Sequence, residues 1–232
     1  MVTSEQVLAA FKRRLQSNKK LANLLRSVDG YGKANDFAKA CGKELAQVVN
    51  AVALEFAGLD AKAVYAILEP SLKENYVEVA KFCKAAQKAI YRDAGLGLGA
   101  LEPAYSEVIA RNAYRVAEGI VEATEPLTLE GLANLVAHAG MTVVDTSIDT
   151  NAEAAANMGL ETHIVRTYDG VGLHDGKTPC RWCMDRAGEW TDYKSAYDAG
   201  AFERHPGCGC RIDYHVGKTR TWSSRAGKWT DQ

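Results

Sequence analysis

Five residues near the C-terminal end of the chain have the types and spacing of a metal shell. Cys180 and Cys183 stand as Cys-Arg-Trp-Cys, and His205, Cys208 and Cys210 stand as His-Pro-Gly-Cys-Gly-Cys. A C-x-x-C turn aims two thiolates at one point. A second knuckle folded over it completes the tetrahedral nitrogen and sulfur shell that a structural zinc prefers. Five candidate ligands compete for four places. The spacing of His205 and Cys208 repeats that of the first pair and favours Cys180, Cys183, His205 and Cys208, with Cys210 alongside. In the alternative, Cys208 and Cys210 both bind, and His205 orients a thiolate from outside the shell.

Rival chemistries fit less well. Buried cysteines that act as small hydrophobes account for Cys41 and Cys83, which fall on helical apolar stripes, but not for two close pairs in one window. Disulfides belong to oxidising compartments. Met1-Val2-Thr3-Ser4 leads into a charged amphipathic pattern without the apolar core of a signal peptide, so an intracellular chain is expected. A redox C-x-x-C calls for a βαβ setting that the surroundings of Arg181-Trp182 do not supply. Pro179-Cys180-Arg181-Trp182-Cys183 matches half of a nucleobase-deaminase signature, whose other half needs a His or Cys followed two residues on by Glu. His138-Ala139-Gly140, His163-Ile164-Val165 and His174-Asp175-Gly176 lack that acid, as do Cys41-Gly42-Lys43 and Cys83-Lys84-Ala85. Glu189, Asp185 and His174 are the acid–base groups left for a zinc-dependent deaminase or hydrolase. They complete no catalytic constellation, and no enzyme is expected.

The elements that must position these ligands are mainly helical. At 232 residues the chain suits one medium domain or a larger and a smaller one, and its net charge of -1 argues against coating nucleic acid over the whole surface. Ser4 is placed as the cap of a first helix carrying Val7, Leu8, Phe11 and Leu15, a pattern that Leu21, Leu24, Leu25 and Val28 continue. Its basic face reads as solvated. Asp29-Gly30-Tyr31-Gly32 breaks the pattern, and a helix from about Asn35 to Ala57 follows, with Cys41 on its core stripe. A short helix from Asp60 to Leu68 is expected to end at Pro70, and Ser71 to Glu74 forms a capping box for the next, which carries Cys83 and ends near Arg92. Gly95 to Gly99 reads as a joint, with a hinge assigned to 94–102. Further helices are expected from Pro103 to Thr124, with Val108 among its apolar residues, and from about Leu129. The latter either runs on to Met158 or breaks near Gly140. His138, with no second metal-type residue one turn away, reads as a satisfied or solvent-facing histidine.

After Gly159 the pattern turns to strands. Thr162 to Tyr168 reads as a strand, Asp169-Gly170 as a turn, Val171 to His174 as a return, Trp190 to Tyr197 as a mixed connection, and Arg211 to Val216 as a closing strand. The expected organisation is therefore a helical body over 1–158, a zinc-stapled α+β module over 159–216 with short β-hairpins around the Cys/His site, and a tail over 217–232. In the tail, Lys218, Arg220, Arg225 and Lys228 interleave with Trp222 and Trp229, a pattern suited to phosphate contacts and base stacking or to a groove on a partner protein. Partner contacts are favoured because the run is short. A zinc-ribbon nucleic-acid-binding protein is thus an alternative function, as is a zinc-dependent enzyme.

The sequence Cys180-Arg-Trp-Cys183, then Ala187-Gly188-Glu189-Trp190, then Phe202-Glu-Arg-His205-Pro-Gly-Cys208-Gly-Cys210-Arg211 and a strand with Tyr214, resembles the C-terminal signature of minor capsid proteins of tailed bacteriophages. It is similar to the Mu-F-like head morphogenesis group, with Gly209 where an arginine is commoner. The resemblance covers about the last quarter of the chain. It implies a virion protein with structural zinc, present in a few copies at the portal or inner capsid surface, that is, in the capsid interior or at the head–tail vertex. It further implies a chain made in the bacterial host cytoplasm, with the portal or major capsid protein as partner, packaged DNA as a further candidate contact, and no membrane.

Overall fold

The computed structural model describes residues 2–123, 127–168, 180–205, 208–217, 220–223 and 228–231. The first helix, α1 (Ser4–Ser17), is capped by Thr3 rather than Ser4: Thr3 Oγ1 accepts from the Gln6 amide, and Gln6 Oε1 accepts from the Thr3 amide at 2.9 Å. This reciprocal box needs Glu or Gln at the third helical position, which Gln6 supplies for Thr3, whereas Val7 would fill that position for Ser4. Asn18 caps α2 (Lys19–Arg26). The helix α3 (Tyr31–Val52) begins four residues before Asn35 and gives way to a 3-10 turn at Ala53–Phe56. Its early start places Gly32 against the later strand β3 (Arg211–Val216), where a Cβ would lie 2.9 Å from Asp213 Oδ2.

Pro70 does not end a helix. One helix, α4 (Ala61–Asp93), runs through it, and Val64, Leu68 and Leu72 extend a single buried stripe across the proline at four-residue intervals. That continuous burial outweighs the backbone hydrogen bond a proline removes. The connection to α5 (Glu107–Val121) packs Leu96 and Leu98 on the core, and Asn151 holds the Leu101 backbone through its amide and carbonyl at 3.0 Å each. Ser106 caps α5, so the helix starts after Pro103. Thr128 caps α6 (Leu129–Asn157), which passes Gly140 without a break.

Those glycines mark where α3 and α6 cross. A Cβ on Gly42 would sit 2.7 Å from the Ala137 backbone nitrogen, and one on Gly140 would sit 3.4 Å from Ala38 Cβ. The approach is backbone to backbone, which only small residues permit. The β-branched and polar residues just beyond Gly140, poor helix formers by themselves, are buried here, including Thr142, Val143, Asp145 and Ser147.

Beyond α6 lie β1 (Thr162–Thr167), α7 (Arg181–Asp185), β2 (Gly188–Trp190), α8 (Tyr193–Asp198) and β3. The sheet is antiparallel in the order β2-β1-β3, with Ile164 opposite Trp190 and Tyr214. The return expected at Val171 to His174 lies outside the described residues, and β1 takes its partners from farther along the chain. The protein is thus mainly helical with a small antiparallel sheet near the C-terminal end. No break in the core accompanies the change at 158–162, because Ile164, Ile212, Tyr214 and Val216 share one cluster with Tyr31, Phe37, Phe82 and Ile148. Asn35 Nδ2 donates to the Ile212 carbonyl at 3.2 Å and the Gly32 amide to Asp213 at 3.1 Å, tying α3 to β3. A second hairpin pairs β4 (Arg220–Ser223) with β5 (Lys228–Asp231), setting Trp222 opposite Trp229. No described helix is long and apolar enough to cross a membrane.

The crossing makes Gly42→Ala an overpacking change. Urea denaturation is expected to show a loss of about 1–3 kcal/mol despite alanine's better helix propensity. Gly97→Ala, where a Cβ meets nothing within 4 Å, is the control and is expected to leave stability unchanged.

Candidate metal centre

The short helix α7 opens directly on Cys180, whose carbonyl accepts from the Met184 amide and whose own amide donates to the Tyr168 hydroxyl at 2.9 Å. One turn on, Cys183 points the same way. In the second knuckle the Cys208 amide donates to the His205 carbonyl at 3.1 Å. This brings the five ligand candidates together in two overlapping groups, Cys180–Cys183–His205 and Cys183–Cys208–Cys210, with donor atoms inside each group within 4.8 Å of one another. Cys183 belongs to both. His205 Nε2 lies 3.2 Å from Cys180 Sγ and 2.9 Å from Cys183 Sγ, and Cys183 and Cys208 sulfurs are 3.6 Å apart. These spacings approach the roughly 3.5–3.8 Å edges of a tetrahedron whose metal–ligand bonds are about 2.0–2.3 Å. The cluster can hold a metal ion.

The thiols are not equivalent. Cys210 donates to Cys208, and this bond, with help from the Arg204 and Arg166 guanidiniums, pulls the Cys208 pKa down to about 4 against the effect of burial. Burial, reinforced by the Cys208 charge, pushes Cys183 up to about 12. Cys210, the donor to Cys208, lies far above its ordinary value. Cys41 and Cys83 are fully buried in the helical core, and burial raises both far above the ordinary thiol range.

Two buried arginines, absent from the candidate ligands, hold the second knuckle. Arg166, at 1% exposure on β1, donates to the Ala201 carbonyl at 2.7 Å, to the Glu203 carbonyl, and to Cys208 Sγ at 3.5 Å. Arg204 uses Nη1 to bond the carbonyls of Cys208 and Cys210 at 3.0 Å each. Its Nε and Nη2 form a two-point pair with Asp145 of α6 at 2.6 and 2.8 Å. Both side chains are at most 3% exposed. Burial holds the Asp145 carboxyl above its ordinary value even against the pull of Arg204. Trp182, inside the C-x-x-C, meets the His205 ring edge-on at 5.0 Å and carries the Arg186 guanidinium 3.9 Å from its own ring centre.

The other candidates fall elsewhere. His138 is buried at 5% exposure and belongs to neither donor group; its ring bonds to the His205 backbone, while its Nε2 has no partner among the described residues, so it is half-satisfied and not solvent-facing. Burial, with Arg204 adding, lowers its pKa to about 4 and keeps the ring neutral. Asp185 is exposed with Arg181 at 3.9 Å, Glu189 is exposed on β2, and His174 lies outside the described residues. Neither donor group contains a carboxylate. Of the tail, Arg220, Trp222, Lys228 and Trp229 lie on the β4–β5 hairpin, while Lys218 and Arg225 lie outside the described residues. Searches against protein-family models, curated proteins and solved structures return no match to this chain.

Removing Asp145 leaves a buried guanidinium without its counter-charge. Asp145→Ala is expected to cost about 3–5 kcal/mol in chemical denaturation. It should also speed release of bound metal to a chromophoric chelator, because Arg204 then loses its fixed position against the knuckle. The double variant Asp145→Leu/Arg204→Met is expected to regain stability while still releasing metal faster than the parent.

Proposed function

We propose that this chain is a structural minor capsid protein of a tailed bacteriophage, of the Mu-F-like head morphogenesis group, with a zinc staple at its C-terminal end. The observation that carries the reading is the convergence of both halves of the C-x-x-C and H-P-x-C-x-C signature on one largely buried cluster. Thiolates with an imidazole suit zinc, and a shell drawn wholly from protein leaves no ligand position for a reacting water. Cys183, Cys208 and Cys210 are buried, which agrees with an enclosed structural site.

Within this reading Cys180, Cys183, His205 and Cys208 hold the ion, and Cys210 supports it by donating to the Cys208 sulfur. When bound, zinc cross-links two knuckles that the short strands alone hold weakly. The helical body and the β4–β5 hairpin then offer surfaces for the portal or major capsid protein, and the chain acts by protein contacts in head assembly.

Elemental analysis of the purified protein is expected to give about one zinc per chain, lost in Cys180→Ser and His205→Ala and kept in Cys210→Ser. Retention in His205→Ala with loss in Cys210→Ser would replace the histidine by the fifth cysteine. Co-sedimentation with capsid shells that contain portal, at a few copies per particle, is the expected assembly result. Absence from shells, together with salt-dependent DNA affinity that disappears when Arg220 and Lys228 are neutralised, would overturn the capsid reading in favour of nucleic-acid binding.

A further inference from the structure

We propose that the cleft between α5, α6 and the segment 197–204 binds a nucleoside monophosphate, its phosphate held by Arg111 and Arg115 and its base lying on Tyr197. The cleft measures about 540 Å³, within the roughly 300–1,000 Å³ range of small-ligand sites. It adjoins the Cys/His cluster, and Arg204 and Trp182 border both.

The electrostatics select an anion. Arg111 and Arg115 stand one turn apart on α5 and are both exposed. Arg115 donates to Asn112 Oδ1 at 3.1 Å, and neither arginine has a carboxylate partner among the described residues. Of the carboxylates that reach the cleft, Asp145 is paired with Arg204 and Glu203 with Arg186 at 2.9 Å, while Asp149 accepts only from the neutral Tyr193 hydroxyl at 2.9 Å and keeps its charge. Two unpaired guanidiniums against one unpaired carboxylate leave the balance positive. The α5 N-terminus, the positive end of its helix dipole, opens on the same space. There Ser106 Oγ accepts from the Ile109 amide and keeps its hydroxyl proton to donate.

The 197–204 segment of the same lining supplies the second half of the ligand site. Tyr197 is 57% exposed at the cleft, braced against Tyr193, which in turn stacks with Phe202 at 5.9 Å. Val108, expected in the core but 46% exposed, adds an apolar edge. Two guanidiniums one turn apart and a braced aromatic ring in the lining of one cleft fit a phosphate joined to a planar base better than either part alone.

Titration calorimetry of the full chain with adenosine monophosphate, adenosine and inorganic phosphate tests this. The monophosphate is expected to bind once per chain and more tightly than either fragment. Arg111→Gln/Arg115→Gln, both exposed positions, should weaken it by about tenfold or more with no shift in thermal unfolding. Tyr197→Ala should weaken the monophosphate and leave inorganic phosphate unchanged. No heat from the monophosphate at millimolar concentration, or binding indifferent to the double arginine change, overturns the site. Tighter binding of an acidic peptide, or a monophosphate affinity unmoved by Tyr197→Ala, overturns the nucleoside assignment.

Discussion

The guanidinium of Arg204 is the point on which the C-terminal architecture turns. It is taken out of water, and all three of its nitrogens are engaged: two by the Asp145 carboxyl and one by the carbonyls of Cys208 and Cys210. A charge in such a place is tolerable only if its partners are fixed, so one residue imposes positions on both α6 and the second cysteine knuckle. Arg166 does the same from the strand side, spanning the 201–203 turn and the Cys208 sulfur. Two guanidiniums beside the Cys208 sulfur would offset the charge that a thiolate-rich shell accumulates if the cluster held a metal, and would form the outer layer that keeps such ligands in place.

Helix α6 can meet this demand because of how it is seated. Its crossing with α3 brings backbones close enough that Gly42 and Gly140 have no room for larger side chains, which fixes the height and rotation of both helices. With α6 held there, one stretch of it faces the core through Val143, Val144 and Ile148, while Asp145 turns toward Arg204. The sheet is not an appendage on this body. Tyr214 meets Tyr31 edge-on at 6.3 Å, and the Tyr31 hydroxyl continues to Gln87 and Ser147 at 3.0 and 3.1 Å. The metal cluster, the sheet and the three longest helices therefore share one set of constraints. Disturbance at the cluster reaches the body through Arg204 and the Arg211 contact to the Gly32 carbonyl at 2.8 Å.

Much of this was legible in the residues. Helical periodicity marked the long helices, cysteine and histidine spacing named the five converging donors, and β-branched alternation located β1 and β3. The failures have definite causes. Pro70 reads as a stop because a proline removes a backbone bond, yet the buried stripe from Val64 to Leu72 carries the helix through. Whether α6 runs on or breaks near Gly140 stays open in the residues, because local pattern cannot reveal that Arg204 meets Asp145 from 59 positions away. A lone arginine between the apolar positions of β1 was the available signal for Arg166, and the arginine beside His205 the one for Arg204.

The sequence by itself determined most of the long helical segments, the strands β1 and β3, and which side chains have the chemistry to hold an ion, because these depend on neighbours a few positions apart. Tertiary structure decided what surrounds those side chains. The depth of Asp145, the aim of two arginines at Cys208, the neutral burial of His138 and the open cleft beside Arg111 and Arg115 all follow from packing between elements distant in the chain. Burial and charge pairing act through space, and local periodicity carries no record of which distant residue will stand opposite.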